Sequence, residues 1–195
     1  MDGETNPRRQ AILDAAFEVF TRYGFRRTSM EDIARETGVS RPSLYSHFRS
    51  KEEIFRTLSE LLLEAALGEA EQALKDGGGK PVAERVEAAL LAQLGRMHEV
   101  VHRSPHGEEI MDENSRLCGD LVSAYSGRLD TLLGTALRAA ARAGEIDLKR
   151  AGLTAASAAE LLHLSASGLK HGGVDRETFE ARLHKFVPLF FQALR

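Results

Sequence analysis

The sequence has little of what marks secreted and membrane proteins. Its 195 residues include one cysteine, Cys118, so no intramolecular disulfide framework can form, as is typical of proteins of the reducing cytoplasm. No apolar run approaches the length that a membrane-spanning helix needs. Residues 1–10 are polar and charged and lack the apolar segment of a secretion signal. We therefore predict a cytoplasmic protein with no membrane partner.

An overall excess of positive charge is also missing, because the net charge is −3, and by itself this argues against a nucleic-acid binder. The charges are unevenly distributed, however. Residues 22–51 contain seven basic and three acidic side chains, whereas residues 52–195 carry a net charge of −5. A small basic head on an acidic remainder would orient the molecule towards a phosphate backbone.

No segment alternates between polar and apolar residues for long enough to form a strand, and no internal repeat is present. Apolar residues instead recur at helical spacing along the whole chain, which predicts an all-α protein of about nine helices. Gly24, Gly38 and Gly144 are predicted to end helices. A short helix near Glu108 to Arg116 is expected to precede a long one.

Two short helices, Met30 to Thr37 and Arg41 to Phe48, flank a turn at Gly38 and have the proportions of a helix-turn-helix motif. In that geometry the second helix enters the major groove of DNA. Leu44 and Phe48 are four residues apart and are predicted to pack inward. The opposite face can read bases, while side chains at neighbouring helix N-termini can hold phosphates. The predicted DNA-binding residues are Thr28, Ser29, Arg41, Pro42, Ser43, Tyr45, Ser46, His47 and Lys51.

Several short motifs stand in this part of the chain: AILDAA at 11–16 followed by Gly24 and Phe25, TSMEDIA at 28–34, GVS at 38–40, LYSHF at 44–48 and SKEE at 50–53. Together they resemble the head of the TetR family of repressors. The resemblance implies that Arg41, Tyr45 and Lys51 contact DNA. It also implies dimerisation through two C-terminal helices and a ligand cavity among the middle helices.

We accordingly expect residues 1–50 to form the helix-turn-helix DNA-binding domain and residues 51–195 a helical ligand-binding and dimerisation domain. The candidate pairing helices are Leu153 to Lys170, which is rich in small residues, and Glu177 to Leu194, although both could simply be internal core. A dimer would place two heads on a pseudo-palindromic operator. Residues that could line an effector pocket, or alternatively serve only as core, are Met97, Val101, Met111, Leu117, Cys118, Tyr125 and His163.

A metal site is a weaker alternative. His98, His102 and His106 are spaced by four, and Glu108, Glu109 and Cys118 follow them. Pro105 and Gly107 are expected to end the helix before His106, so ordinary histidines are favoured and we predict no metal or cofactor.

An enzyme is a further alternative, but the sequence lacks a Gly-rich phosphate loop and a nucleophile elbow. The favoured function is a dimeric repressor that a small, apolar or aromatic molecule releases from DNA. A metal-responsive or ligand-independent DNA-binding regulator remains open.

Overall fold

A computed structural model describes residues 6–75 and 79–195; for residues 96–103 it describes the helical backbone and not the side chains. These parts form eight α-helices and no strand, which confirms the all-α prediction. The helices are α1 (Pro7–Tyr23), α2 (Met30–Thr37), α3 (Arg41–His47), α4 (Lys51–Lys75), α5 (Val82–Arg103), α6 (Gly107–Arg142), α7 (Ala155–Gly168) and α8 (Arg176–Gln192).

The helix count differs from about nine because α6 is continuous. The predicted short helix near residues 108–116 is the first part of this 36-residue helix. Gly119 follows the predicted short helix, but it is helical, and no proline interrupts α6. A single glycine costs a helix only about 1 kcal/mol relative to alanine, so it does not end one unaided.

Side chains cap the N-termini of the first three helices. The Asn6 side chain accepts a hydrogen bond from the N–H of Arg8 at the start of α1. Ser29 and Asp32 form a reciprocal capping box at the start of α2, and Ser40 caps α3. Gly38 ends α2 with φ +73°, in the left-handed region that glycine tolerates best. These local signals fix the length of each helix in the motif.

The chain divides into two compact units. The first contains Met1–Leu62 with Val100–Leu121, and the second contains Leu63–Glu99 with Val122–Arg195. The first unit therefore includes the start of α6 as well as the predicted DNA-binding domain. The predicted functional boundary between residues 50 and 51 stays a prediction.

The core of the first unit joins the first three helices to the beginnings of α4 and α6. Phe20, Phe25 and Phe55 form an aromatic group with ring centroids 5.1 to 5.7 Å apart. Ile110 and Cys118 of α6 belong to the same buried cluster. Residues 107–121 are consequently part of the same folded body as the helix-turn-helix.

The core of the second unit is apolar and lies mainly among helices. The fully buried side chains of this unit include Leu90 on α5, Leu137 on α6, Leu162 on α7 and Phe179 on α8. Pro188 lies inside α8, as its position in the sequence predicts. Within the described residues, no helix is both long enough and apolar enough to cross a bilayer.

Candidate nucleic-acid interface

Helix α3 has one buried and one exposed face, as the motif predicts. Leu44 and Phe48 are fully buried in the core of the first unit. Of the predicted DNA-binding residues on this helix, four are exposed and two are half-buried: Arg41, Pro42, Tyr45 and Ser46 in the first group, and Ser43 and His47 in the second. The helix therefore presents a polar surface from a backbone that its two apolar residues hold in place.

Arg41 at the start of α3 has two neighbours on the surface. Its guanidinium carbon lies 5.7 Å from the centre of the Tyr45 ring. Glu31 of α2 is the second neighbour, with 3.9 Å between Nη1 of Arg41 and Oε2 of Glu31. Both groups of this pair are largely exposed, so the pair contributes little stability and the guanidinium is available to other partners. Glu31 was not recognised from the sequence, since its position in α2 says nothing about Arg41.

The predicted phosphate-binding hydroxyls at the start of α2 are both engaged within the protein. The Ser29 hydroxyl donates to Oδ2 of Asp32 at 2.6 Å. This hydrogen bond is the largest cause of the lowered pKa of Asp32. Thr28 is buried, and its hydroxyl donates to the carbonyl of Gly24 at 2.7 Å. Thr28 thus stabilises the turn before α2, and only Ser29 of these two lies on the surface.

Lys51 at the start of α4 holds the loop between α1 and α2. Its ammonium donates to the carbonyls of Phe25, Arg26 and Thr28 at 2.8, 3.2 and 2.9 Å. It also lies 4.4 Å from the centre of the Phe25 ring, within range of a cation–π interaction. An ammonium has three protons, so a phosphate contact by Lys51 would have to replace one of these bonds. The phosphate role of Lys51 stays a prediction, and its role in the loop is a new finding.

A polar cavity of about 620 Å³ opens beside the same loop. The pairs Arg22–Glu36 and Arg35–Asp32 involve two of its arginines. Arg27 is exposed, whereas its neighbour Arg26 pairs with Glu113. The cavity is lined by Arg22, Tyr23, Arg27, Thr28, Asp32, Arg35 and His106.

The predicted effector residues lie in different units. Met97 and Val101 fall outside the described side chains. In the first unit, Met111 is 40% exposed, Leu117 is half-buried, and burial of Cys118 raises the pKa of its thiol. These surroundings give Cys118 the character of a core residue.

Tyr125 and His163 lie in the second unit, and both are buried with polar partners. The Tyr125 hydroxyl donates to Glu64 at 2.7 Å, and the His163 ring lies 2.7 Å from Asp130 through Nδ1. An 880 Å³ cavity that sequence reasoning missed lies elsewhere in this unit, lined in part by Arg138, Ile146 and Leu148. Tyr125 and His163 are not among its lining residues, so their effector role remains a prediction.

Only some residues of the alternative metal site lie within the side chains that the structure describes. His98 and His102 lie outside the described side chains. Helix α5 ends at Arg103, so His106 lies beyond it, as predicted from Pro105. Glu109 accepts a hydrogen bond from the Arg26 N–H. Within the side chains that the structure describes, no three His, Cys, Asp or Glu residues form a group suited to a metal ion.

The predicted pairing helices expose large apolar side chains. Leu161 and Leu164 on α7 are 45% and 62% exposed, and Leu189 on α8 is 65% exposed. Leu161, Leu164 and Gly168 are spaced by three and four, so they share one face of α7. Such a face is typical of an interaction surface.

Comparison with known proteins supports the assignment of the motif. The family model for bacterial regulatory proteins of the tetR family matches residues 12–58. The chain is 33% identical over 87 residues to the uncharacterized HTH-type transcriptional regulator YhgD of Bacillus subtilis. That match covers 45% of this chain and 44% of YhgD, so the chain spans less than half the length of this curated relative.

A longer match reaches beyond the head. The chain is 30% identical over 156 residues to the probable HTH-type transcriptional regulator ArpR of Pseudomonas putida, covering 76% of this chain and 74% of ArpR. The fold resembles that of SmeT in a triclosan complex, with a TM-score of 0.72 at 24% identity over 97% of this chain and 93% of SmeT. SmeT is described as the repressor of the Stenotrophomonas maltophilia multidrug efflux pump SmeDEF.

The prediction of a regulator rather than an enzyme is confirmed at the level of family, because these relatives are transcriptional regulators. The match to ArpR extends well past residues 12–58, so the similarity is not confined to the motif. The chain belongs to the tetR family of bacterial regulatory proteins.

Proposed function

We propose that the protein is a dimeric, sequence-specific DNA-binding repressor that a small molecule releases from its operator. The observation that carries the proposal is the two-faced helix α3. Leu44 and Phe48 fix it in the core, while Arg41, Tyr45 and Ser46 stand exposed on a helix of the size that a major groove admits. The buried apolar cluster of the first unit contains Leu44 and Phe48 but none of these three residues.

The exposed side chains suggest separate roles on DNA. Arg41 and His47 have donors that can reach base edges, with guanine a natural partner for the guanidinium. Tyr45 carries an exposed hydroxyl suited to a phosphate oxygen, whereas the Ser29 hydroxyl would have to leave Asp32 to donate to one. Phosphate contacts set orientation rather than sequence. Arg27 adds an exposed cation two residues before Ser29. Ser46 is a further residue proposed to read a base edge, and Lys51 one proposed to bind a phosphate. The remaining predicted residues, Thr28, Pro42 and Ser43, would shape or support this surface.

Dimerisation through α7 and α8 is supported by their exposed leucines. Leu164 and Leu189 each leave more than half of their surface in water, and Leu161 lies beside Leu164 on the same face of α7, so these helices expose several large apolar side chains rather than one. A two-fold interface built on them would supply two copies of α3 to the two halves of a pseudo-palindromic operator.

The effector is proposed to be a small apolar or aromatic molecule. SmeT, which shares the fold, has been solved with triclosan. In this chain the buried side chains of Tyr125 and His163 bring polar groups into the second unit, where they bond to Glu64 and Asp130 nearer its surface. Ligand sites commonly combine an apolar lining with a few such groups. Effector binding would favour a form of the dimer with lower operator affinity, and we place the protein in the cytoplasm with the DNA.

Binding to the DNA upstream of the protein's own gene tests this function. The wild-type protein should bind that region selectively and lose affinity steeply as salt increases. Tyr45→Ala should weaken binding to all sequences, whereas Arg41→Ala and His47→Ala should cost about 1 to 3 kcal/mol and relax sequence preference. Lys149→Ala, an exposed cation of the second unit, is the matched control. Absence of selective, salt-sensitive binding by the wild-type protein would contradict the proposal.

A further inference from the structure

Glu109 lies near the start of α6, well outside the predicted DNA-binding residues, yet it contacts the loop between α1 and α2. Its Oε1 accepts a hydrogen bond from the N–H of Arg26 at 2.6 Å. The carboxylate also covers Gly24, where an added Cβ would come within 2.9 Å of Oε2. Glu109 is thus closely fitted to the backbone at both ends of residues 24–26.

Glu113, one helical turn further along α6, extends the same contact to a side chain. Its carboxylate is 6% exposed and accepts a hydrogen bond from Nε of Arg26 at 3.0 Å. Arg116 donates to its other oxygen at 2.8 Å. Burial raises the pKa of Glu113, but the hydrogen bonds from the two arginines outweigh this, so the pKa lies below its usual range. Arg26 is therefore committed to α6 and is not a free cation.

Lys51 holds the opposite side of this loop. Its ammonium is bonded to the carbonyls of Phe25, Arg26 and Thr28, as described above. The backbone N–H of Arg26 is consequently bonded to Glu109, and the backbone carbonyl of Arg26 is bonded to Lys51. Because both hydrogen-bonding groups of Arg26 are engaged, the direction of the following residue is fixed as well.

We propose that Glu109 is a positioning residue for DNA binding, which fixes the α1–α2 loop so that Arg27 and the start of α2 meet the DNA backbone in register. The inference rests on the proposed DNA-binding function. Ser29, the cap of α2, follows this loop directly, so a shift at Arg26 is passed on to Arg27 and Ser29. The DNA-binding machinery then extends to residue 109, and a change in the first turns of α6 alters operator affinity through a named hydrogen bond.

A positioning role and a purely electrostatic role of Glu109 predict opposite effects of its removal on DNA affinity, so the two can be distinguished. A carboxylate near DNA repels phosphates, so its removal should strengthen binding if charge alone mattered. Loss of a positioning contact should instead weaken binding. Glu108 is the matched control, because it is the adjacent residue of the same helix, carries the same charge and is exposed.

The test compares wild-type protein with Glu109→Ala, Glu109→Gln and Glu108→Ala, all as full-length chains. Fluorescence anisotropy measures affinity for a duplex taken from the protein's own upstream region by selection with the wild-type protein. Glu109→Ala should bind about five to ten times more weakly, the effect of one hydrogen bond to a charged group. Glu109→Gln keeps an acceptor for the Arg26 N–H and should bind within about twofold of wild type. Glu108→Ala should bind as well as wild type or more tightly.

Hydrogen exchange gives a readout that does not depend on DNA. The amide of Arg26 should exchange faster in Glu109→Ala than in Glu109→Gln or Glu108→Ala, while the protection of the α3 amides is unchanged. Equal DNA affinity of Glu109→Ala and Glu108→Ala would overturn the inference, as would weakening of Glu109→Gln to the level of Glu109→Ala. If the wild-type protein selects no duplex, the proposed function fails, and the exchange of the Arg26 amide alone then decides whether the contact holds the loop.

Discussion

The α1–α2 loop of the first unit and the contact between α4 and α6 in the second unit are held by polar side chains in different ways. In the first, charged side chains bind the backbone of a loop, as Lys51 does with three carbonyls and Glu109 with the Arg26 N–H. In the second, polar side chains bind one another across helices, as Glu64 does with Tyr125 and Arg128. Bonds to a loop fix the position of that loop, which suits a surface that must match DNA. Bonds between side chains of two helices depend instead on how those two helices are placed relative to each other.

The comparison predicts that damage to each core has a different functional consequence. Leu44→Ala removes a fully buried side chain of the first unit, and Leu137→Ala removes one of the second. Each should lower the free energy of unfolding by about 2 to 5 kcal/mol. Leu44→Ala should abolish DNA binding and reduce the protection of the α3 amides in hydrogen exchange. Leu137→Ala should leave that protection unchanged. Loss of α3 protection in both variants would show that the units do not unfold separately.

A substitution on the exposed apolar surface of the second unit is expected to have the next largest effect, on the stability of the dimer. Leu164→Asp places a charge on the face of α7 proposed to pair with a second copy, and it should weaken the dimer by at least about a hundredfold. Analytical ultracentrifugation measures this dissociation. Val122→Asp is the control, because Val122 is also an exposed apolar residue of this unit but lies on α6. A dimer that survives Leu164→Asp and dissociates on Val122→Asp would place the interface on α6.

Lys51 is the test of whether the first unit's polar groups serve the loop or the DNA. Lys51→Met leaves three carbonyls without their donor, and we expect a loss of about 1.5 to 3 kcal/mol in stability and weaker DNA binding. If Lys51 acts only on the loop, the dependence of log affinity on log salt keeps its slope. If it also contacts a phosphate, the slope falls by about one. Arg27→Ala, which removes an exposed neighbouring cation, is expected to lower the slope by about one.

Whether a feature could be predicted from the sequence depends on how far apart its residues lie along the chain. The Ser29–Asp32 cap spans three residues and the α3 faces repeat every three to four, so both could be predicted locally. The Lys51 contacts join residues 23 to 26 positions apart, and the Glu109 contact joins residues 83 apart. Nothing in the local pattern encodes such pairings, because they depend on how helices pack. The pocket residues were hardest to predict for the same reason, since a cavity is bounded by segments distant in sequence.

The smallest expected effect is on the stability of the protein at low pH, where one carboxylate from each unit can be compared. Hydrogen bonds from Arg128 and Tyr125 lower the pKa of Glu64 to about 2 in the second unit. A hydrogen bond from Arg56 lowers the pKa of Asp120 to about 2 in the first. A carboxylate with a lowered pKa in the folded state stabilises the protein above its unfolded pKa. That contribution is lost as the pH falls from about 4.5 towards 2 for Glu64, and from about 3.8 towards 2 for Asp120.

Both carboxylates are largely exposed, so solvent screening keeps their effects on stability small, at most a few tenths of a kcal/mol for Glu64. Glu64→Gln should flatten the loss of stability between pH 4.5 and 2, measured by thermal unfolding across that range, and Asp120→Asn should do so below pH 3.8. Only Glu64→Gln should also change the acceptor of the buried Tyr125 hydroxyl, from a carboxylate to an amide oxygen. Nuclear magnetic resonance titration of the two carboxyls checks the assignment, and a Glu64 that titrates near 4.5 would show that the hydrogen bonds from Arg128 and Tyr125 to Glu64 do not persist in solution.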